Sequence, residues 1–213
     1  MLKICEIYSS ILGESSLSGY KAGIVRLTGC NLRCSWCDTK YAYDEGRFME
    51  FQEIVENLSK FGVSFVLITG GEPLLQKETL KLLEILKELG YYVIIETNGS
   101  FDISVIPAGI KRIVDFKPPG SGMESYNLFQ NADELNENDE VKFVVASYDD
   151  FLWAKKKTIE YDLHRKAGAI LISPAMGILT PAQLAEWLLL EKNIPFRLNL
   201  QLHKLIWGDE RGR

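Results

Sequence analysis

Apolar residues arrive along this chain in short bursts separated by longer amphipathic stretches. Residues 22–28, 65–69, 92–96, 112–116, 141–146 and 169–172 are brief, largely apolar runs, and each reads as a buried strand. Between them, Phe51, Ile54, Val55, Leu58 and Phe61 recur at helical spacing. Residues 77–89 carry an apolar stripe at Leu82, Ile85, Leu86 and Leu89, with Gly90 as the stop. A helix through Ile159 is expected to start from Asp149 or Asp150 as its cap. Thr180, followed by Pro181 and Gln183, predicts a capping box before residues 184–190. The segment 196–203 alternates strictly, with Phe196, Leu198, Leu200 and Leu202 on one face and Arg197, Asn199, Gln201 and His203 on the other. That polar face is solvated in a one-sided sheet and lines a polar cavity in a barrel.

Strands alternating with helices imply an α/β fold with a parallel sheet. The strand ends carry the unusual residues: cysteines, Gly-Gly-Glu, Glu-Thr-Asn-Gly and Lys-Pro-Pro. Function gathers at such ends in α/β barrels and open sheets. Six or seven strands fall short of the eight in a closed barrel of about 250 residues. The expectation is a partial, incomplete parallel β/α barrel of about six strands, one domain over residues 1–213, with 117–140 as loops inside it.

Composition narrows the classes. Hydrophobic residues make up 46% and charged residues 25% of the 213, which excludes a disordered or collagen-like chain. The net charge of −5 argues against a broad nucleic-acid footprint. No apolar run approaches the roughly 20 residues that cross a bilayer, and the first residues lack a leader pattern, so the expected location is cytoplasmic, with no membrane partner.

Three of the four cysteines, Cys30, Cys34 and Cys37, fall within eight residues. Such clustering points to metal or redox chemistry rather than a disulfide framework. Thiolates suit iron–sulfur clusters or zinc. A structural zinc site wants four closed ligands, so Cys5 or one of the two histidines, His164 and His203, would have to complete it. Three cysteines on a four-iron cluster leave one iron open for chemistry.

The spacing Cys30-x3-Cys34-x-Trp36-Cys37 resembles the radical S-adenosylmethionine superfamily, as does Thr69-Gly70-Gly71-Glu72-Pro73 at the end of a later strand. The second segment looks like the one that binds the amino group of S-adenosylmethionine, its glycines permitting close backbone approach. Two longer runs are more specific: residues 6–14 (Glu-Ile-Tyr-Ser-Ser-Ile-Leu-Gly-Glu) and 25–39 (Val-Arg-Leu-Thr-Gly-Cys-Asn-Leu-Arg-Cys-Ser-Trp-Cys-Asp-Thr). With the ending 201–213, they resemble the 7-carboxy-7-deazaguanine synthase family of the queuosine pathway.

The resemblance implies a radical SAM core holding a [4Fe-4S] cluster, with S-adenosylmethionine and Mg2+ as further cofactors. It implies a homodimer fed by a flavodoxin- or ferredoxin-type electron donor. It also implies 6-carboxy-5,6,7,8-tetrahydropterin as the small-molecule substrate, contracted by radical chemistry with loss of ammonia. Residue by residue, Cys30, Cys34 and Cys37 match the cluster ligands and Thr39 the magnesium ligand. Trp36, Cys37, Asp38, Gly70, Gly71, Glu72, Asn98 and Lys117 match the S-adenosylmethionine region. Leu12, Gly13, Glu14, Arg26, Thr69 and His203 match the substrate region; Arg26 can fork onto a carboxylate. The chain departs from the family's Gln-Gly-Glu-Gly at Leu12-Gly13-Glu14-Ser15, where a backbone contact at residue 12 would survive and a side-chain bond would not. It also ends at Arg213 rather than a small residue, which puts the family's terminal carboxylate contact in doubt. Two other readings compete: an activase of the same superfamily that installs a glycyl radical on a partner protein, and a non-catalytic iron–sulfur or zinc module.

Overall fold

The computed structural model describes residues 1–213. Nine strands form a single sheet: β1 (Leu2–Ile11), β2 (Lys21–Leu27), β3 (Arg47–Met49), β4 (Phe65–Gly70), β5 (Tyr92–Thr97), β6 (Lys111–Asp115), β7 (Glu140–Val145), β8 (Ala169–Pro174) and β9 (Phe196–Leu198). Their order is β3-β1-β2-β4-β5-β6-β7-β8-β9. From β2 through β4 to β9 every pairing is parallel, which makes seven parallel strands where about six were expected. β1 and β3 are antiparallel additions at one edge. The sheet curls without closing, so the partial barrel stands.

The helices α1 (Phe51–Ser59), α2 (Thr79–Glu88), α3 (Tyr148–Glu160), α4 (Leu163–Lys166), α5 (Pro181–Leu190) and α6 (Leu202–Trp207) complete the fold. Residues alternate across each strand, and the two faces bury different cores. Val25, Val66, Ile68, Val93, Ile95, Val141 and Phe143 join the helices in a cluster of 33 buried residues. The concave face holds a much smaller apolar cluster of Leu12, Ala22, Ile24, Ile94 and Ile113. Beyond that small cluster, toward the strand ends, the concave positions turn polar.

Three local expectations change. β1 was read only as a motif, because its interior-facing residues are polar: Glu6 lies opposite Arg26, set there by an irregularity in register between Ile4 and Glu6. The cap of α3 is Ser147, whose hydroxyl accepts from the Asp150 N–H; the buried Asp150 carboxylate instead accepts from Gly120 N (2.8 Å) and Ala146 N (3.1 Å). The alternating segment 196–203 is a strand only to Leu198. Its partner β8 ends in Pro174, which has no N–H to continue the ladder. The chain turns there into α6, which carries His203. The Thr180–Gln183 capping box forms as expected.

Candidate active site

At the mouth of the barrel, β2 runs into the cysteine loop, β4 into Gly71-Glu72, β5 into Asn98 and β6 into Lys117. Arg33 ties the cysteine loop together: one guanidinium nitrogen donates to the carbonyls of Cys30 (2.8 Å) and Leu32 (2.7 Å), and the group lies 4.1 Å over the Tyr43 ring. Ser35 fastens the loop to the turn after β6, its N–H donating to Ser121 O (3.1 Å) and its hydroxyl to Gly120 O (2.9 Å). Cys30, Cys34 and Cys37 are free thiols, each partly buried. Burial pushes the Cys30 and Cys34 thiols up, and a charge on Cys37 pushes both the same way. Three soft sulfur donors on one loop are the donor set that an iron–sulfur cluster takes, with one iron left without a protein ligand.

The two glycines at the end of β4, Gly70 and Gly71, serve chain packing. A Cβ on Gly71 would lie 2.0 Å from the Gly29 carbonyl oxygen and 2.8 Å from Cys30 Cβ; one on Gly70, whose φ is +146°, would meet the Leu27 backbone at 2.3 Å. The strand end can therefore seat directly against the cysteine loop, sealed by Glu72 N donating to Gly29 O at 2.7 Å. Glu72 is fully buried. Its carboxylate accepts from Leu74 N (2.9 Å), Thr97 Oγ1 (2.8 Å) and Asn98 N (2.7 Å). Burial pushes it up to about 7 despite those donors. Its side chain ties the turn after β4 to the end of β5, and with its carboxylate buried and engaged by these three donors a direct Glu72 contact to S-adenosylmethionine is not what this structure offers. Asn98 is likewise engaged, its amide donating to Asn31 Oδ1 (3.1 Å) and standing 3.9 Å from Cys30 Sγ.

On the concave face below the cysteine loop, Arg26 donates to Glu6 Oε1 (2.8 Å) and Tyr8 Oη (3.2 Å), and Tyr41 donates to the same Glu6 oxygen. These bonds fix the guanidinium along one edge and leave Nη1 for a ligand. Thr69 lies beside Arg26 in register, its hydroxyl 3.4 Å from Glu96 Oε2. Gly13 touches His203: a Cβ there would stand 1.9 Å from the imidazole Nδ1. Burial lowers the His203 imidazole, so it is neutral at neutral pH. Leu12 is buried in the concave apolar cluster, and its N–H and C=O pair with Tyr20 O (2.8 Å) and Gly19 N (2.9 Å), so its side chain packs that cluster and leaves only the carbonyl's second lone pair for a ligand.

Asp38 joins the cysteine loop to α6. Its carboxylate accepts from Thr39 Oγ1 (2.8 Å), Gln201 Nε2 (3.1 Å) and Lys204 Nζ (2.8 Å). Burial would raise this group, but Lys204 and the other donors hold it well below the usual carboxylate range. Trp36 is half-buried on the same loop. Lys117 pairs with Asp115 at 2.8 Å; burial opposes its charge, and Asp115 and Cys34 sustain it.

The charge at the middle of this polar group leaves little trace in the sequence pattern. Lys142, on β7, is buried and bonded to Glu14 and, at 2.6 Å, to Glu96, with Asp115 at 3.8 Å. A lysine within the apolar run Glu140-Val-Lys-Phe-Val-Val145 was the available signal, since an unpaired lysine is rarely buried.

With this geometry in hand, comparison with known proteins is decisive. The sequence matches the Radical SAM superfamily over residues 24–120. It is 40% identical to the 7-carboxy-7-deazaguanine synthase of Koribacter versatilis over 98% of both chains. The chain belongs to the 7-carboxy-7-deazaguanine synthase family. The family's member from Chlorobaculum tepidum is 41% identical over 99% of this chain and 97% of its own. The crystal structure of QueE from Escherichia coli superposes with a TM-score of 0.73, covering 94% of this chain and 93% of that one at 23% identity, which supports the fold. As a member of this family the chain is a radical S-adenosylmethionine enzyme, and its cofactors are a [4Fe-4S] cluster and S-adenosylmethionine.

Proposed function

We propose that the chain converts 6-carboxy-5,6,7,8-tetrahydropterin to 7-carboxy-7-deazaguanine with release of ammonia. Atoms and electrons balance: the product is the substrate less one ammonia. The observation carrying this reading is a polar floor of Glu14, Arg26, Thr69, Glu96 and Lys142 at the barrel mouth, adjoining the three-thiol loop. Such a floor suits a small ligand bearing one carboxylate and several N–H groups better than the peptide loop an activase would take.

Cys30, Cys34 and Cys37 would hold the cluster, which with S-adenosylmethionine supplies the radical chemistry that begins turnover. Trp36, Asp38, Gly70, Gly71, Asn98 and Lys117 surround the S-adenosylmethionine position, with Glu72 acting through the turn and strand end it ties together. Arg26 offers its free guanidinium edge to the substrate carboxylate. Glu14 accepts from ring and amino N–H groups. His203, neutral and seated on Gly13, closes the pocket from α6. Thr39 and the adjoining Asp38 are hard oxygen donors of the kind Mg2+ takes. We further infer a homodimer, supported by Leu189 and Leu190, which stand 78% and 77% exposed at the end of α5, and a flavodoxin- or ferredoxin-type protein as electron donor.

The test is anaerobic turnover of the reconstituted, reduced protein with S-adenosylmethionine, Mg2+ and the carboxytetrahydropterin, read by mass spectrometry. Carboxydeazaguanine from the wild type and none from Cys34→Ala is the expected result. S-adenosylmethionine cleavage without that product overturns the substrate assignment.

A further inference from the structure

Lys142 is an almost fully enclosed cation at the barrel mouth, with a side chain 6% exposed. Its ammonium bonds Glu14 Oε2 from the loop after β1 and Glu96 Oε1 (2.6 Å) from β5, and stands 3.8 Å from Asp115 Oδ2. Each carboxylate thus gives one oxygen to the lysine. The second oxygens are differently placed: Glu96 Oε2 meets only the Thr69 hydroxyl, at 3.4 Å, and the buried Asp115 Oδ1 has no hydrogen-bond partner at all. Buried acceptors are almost always paired, so an orphan in a polar mouth marks a place for a donor from outside the chain.

Resting on the proposed substrate, we propose that Lys142 is a positioning residue that pins Glu14 and Glu96, so that their remaining oxygens form a fixed acceptor face for the N–H edge of the reduced pterin. Two neighbouring carboxylates without a cation between them would share a proton, and one acceptor would become a donor. The other charged or titratable groups around it are Arg26 from β2, Lys117 after β6, Asp38 from the cysteine loop and His203 from α6. None of them is within bonding distance of both carboxylates, so Lys142 alone can set their spacing.

The experiment measures anaerobic binding and turnover of 6-carboxy-5,6,7,8-tetrahydropterin in the wild type, Lys142→Met, Lys142→Arg and the double variant Glu14→Gln/Glu96→Gln with and without Lys142→Met. Lys142→Met is expected to weaken pterin binding by about tenfold or more, as loss of charge-assisted bonds does. It should raise KM more than it lowers kcat and move the acid limb of kcat/KM to higher pH. Lys142→Arg should restore part of the affinity. Adding Lys142→Met to the double variant should change binding little, because the carboxylates it orders are gone. That comparison also decides the matter if Lys142→Met alone does not fold. Binding and a pH profile unchanged in Lys142→Met, or a full further loss in the double-variant background, overturn the proposal. A wild type that does not bind the pterin overturns the substrate reading and this proposal together.

Discussion

Gly71→Ala tests how the cluster loop is held. The added methyl would sit 2.0 Å from Gly29 O and 2.5 Å from its carbonyl carbon, where ordinary contact begins at 3.4 Å. Both obstacles are backbone, so no side chain can swing aside; the end of β4 and the cysteine loop must part by more than an ångström. That separation breaks the Glu72 N to Gly29 O bond (2.7 Å) and strains the Gly71 N to Leu27 O bond (3.2 Å). Two hydrogen bonds at about 1 kcal/mol each, with an overpacking penalty of about 1–3 kcal/mol, place the loss at roughly 3–5 kcal/mol. A chain with the usual ~5–15 kcal/mol of stability still folds, but with Cys30 displaced. Urea unfolding of the iron-free protein reads the first effect, and iron and sulfide per chain after reconstitution read the second. Gly90→Ala is the control: φ is +86° there, but no atom lies within 4 Å, so it should cost about 1–3 kcal/mol of backbone strain and leave iron loading intact. Wild-type iron content in Gly71→Ala would refute the idea that this contact seats the loop.

Glu72 gives a pH signature. Its pKa rises from 4.5 in the unfolded chain to about 7 when buried, so folding takes up a proton between those values and stability falls as pH rises through that window. Glu72→Gln should abolish that part of the slope in unfolding measured from pH 4.5 to 7, while losing about 1–3 kcal/mol because an amide cannot accept all three donors. Gly13→Ala should weaken pterin binding with little change in S-adenosylmethionine cleavage, since the methyl displaces the His203 ring; equal affinity in both proteins would separate His203 from the pocket. Lys204→Met should loosen α6, seen as faster amide exchange over residues 200–207. In the wild type the Asp38–Lys204 contribution should persist above the ordinary aspartate pKa and fade only as the solution becomes strongly acid, because Asp38 is held low; exchange in α6 that already rises near neutral pH would contradict it.

The parallel strands and the cysteine loop were legible because burial on both faces writes continuous apolar runs and because thiol spacing is local. The misses have one physical origin, the polar concave face. A strand that sends Glu6 and Tyr8 inward toward Arg26 does not look buried, so β1 showed only as a motif. Lys142 and Asp115 were hidden because their meaning depends on partners tens of residues away, and Glu96 was noticed only as a strand end. Leu12 and Glu72 show the converse: residues inside a recognised segment whose side chains pack or brace the scaffold. Gly70 and Gly71 were rightly singled out for close approach, but what approaches here is another stretch of chain.

The seam between the two ends of the sheet has a temporal consequence. Ser15 N donates to Asn199 Oδ1 across 184 residues of sequence, and Leu202 N donates to Gly13 O at 2.9 Å. No ladder of strands joins β1 to β9, so these contacts bridge the gap there. The loop after β1 and its partners Asn199 and Leu202 lie far apart in sequence, and contacts of such separation form late because loop closure must precede them. The barrel wall can thus form while the pocket still lacks its far side. A pterin should therefore speed the last phase of refolding and leave the earlier ones alone.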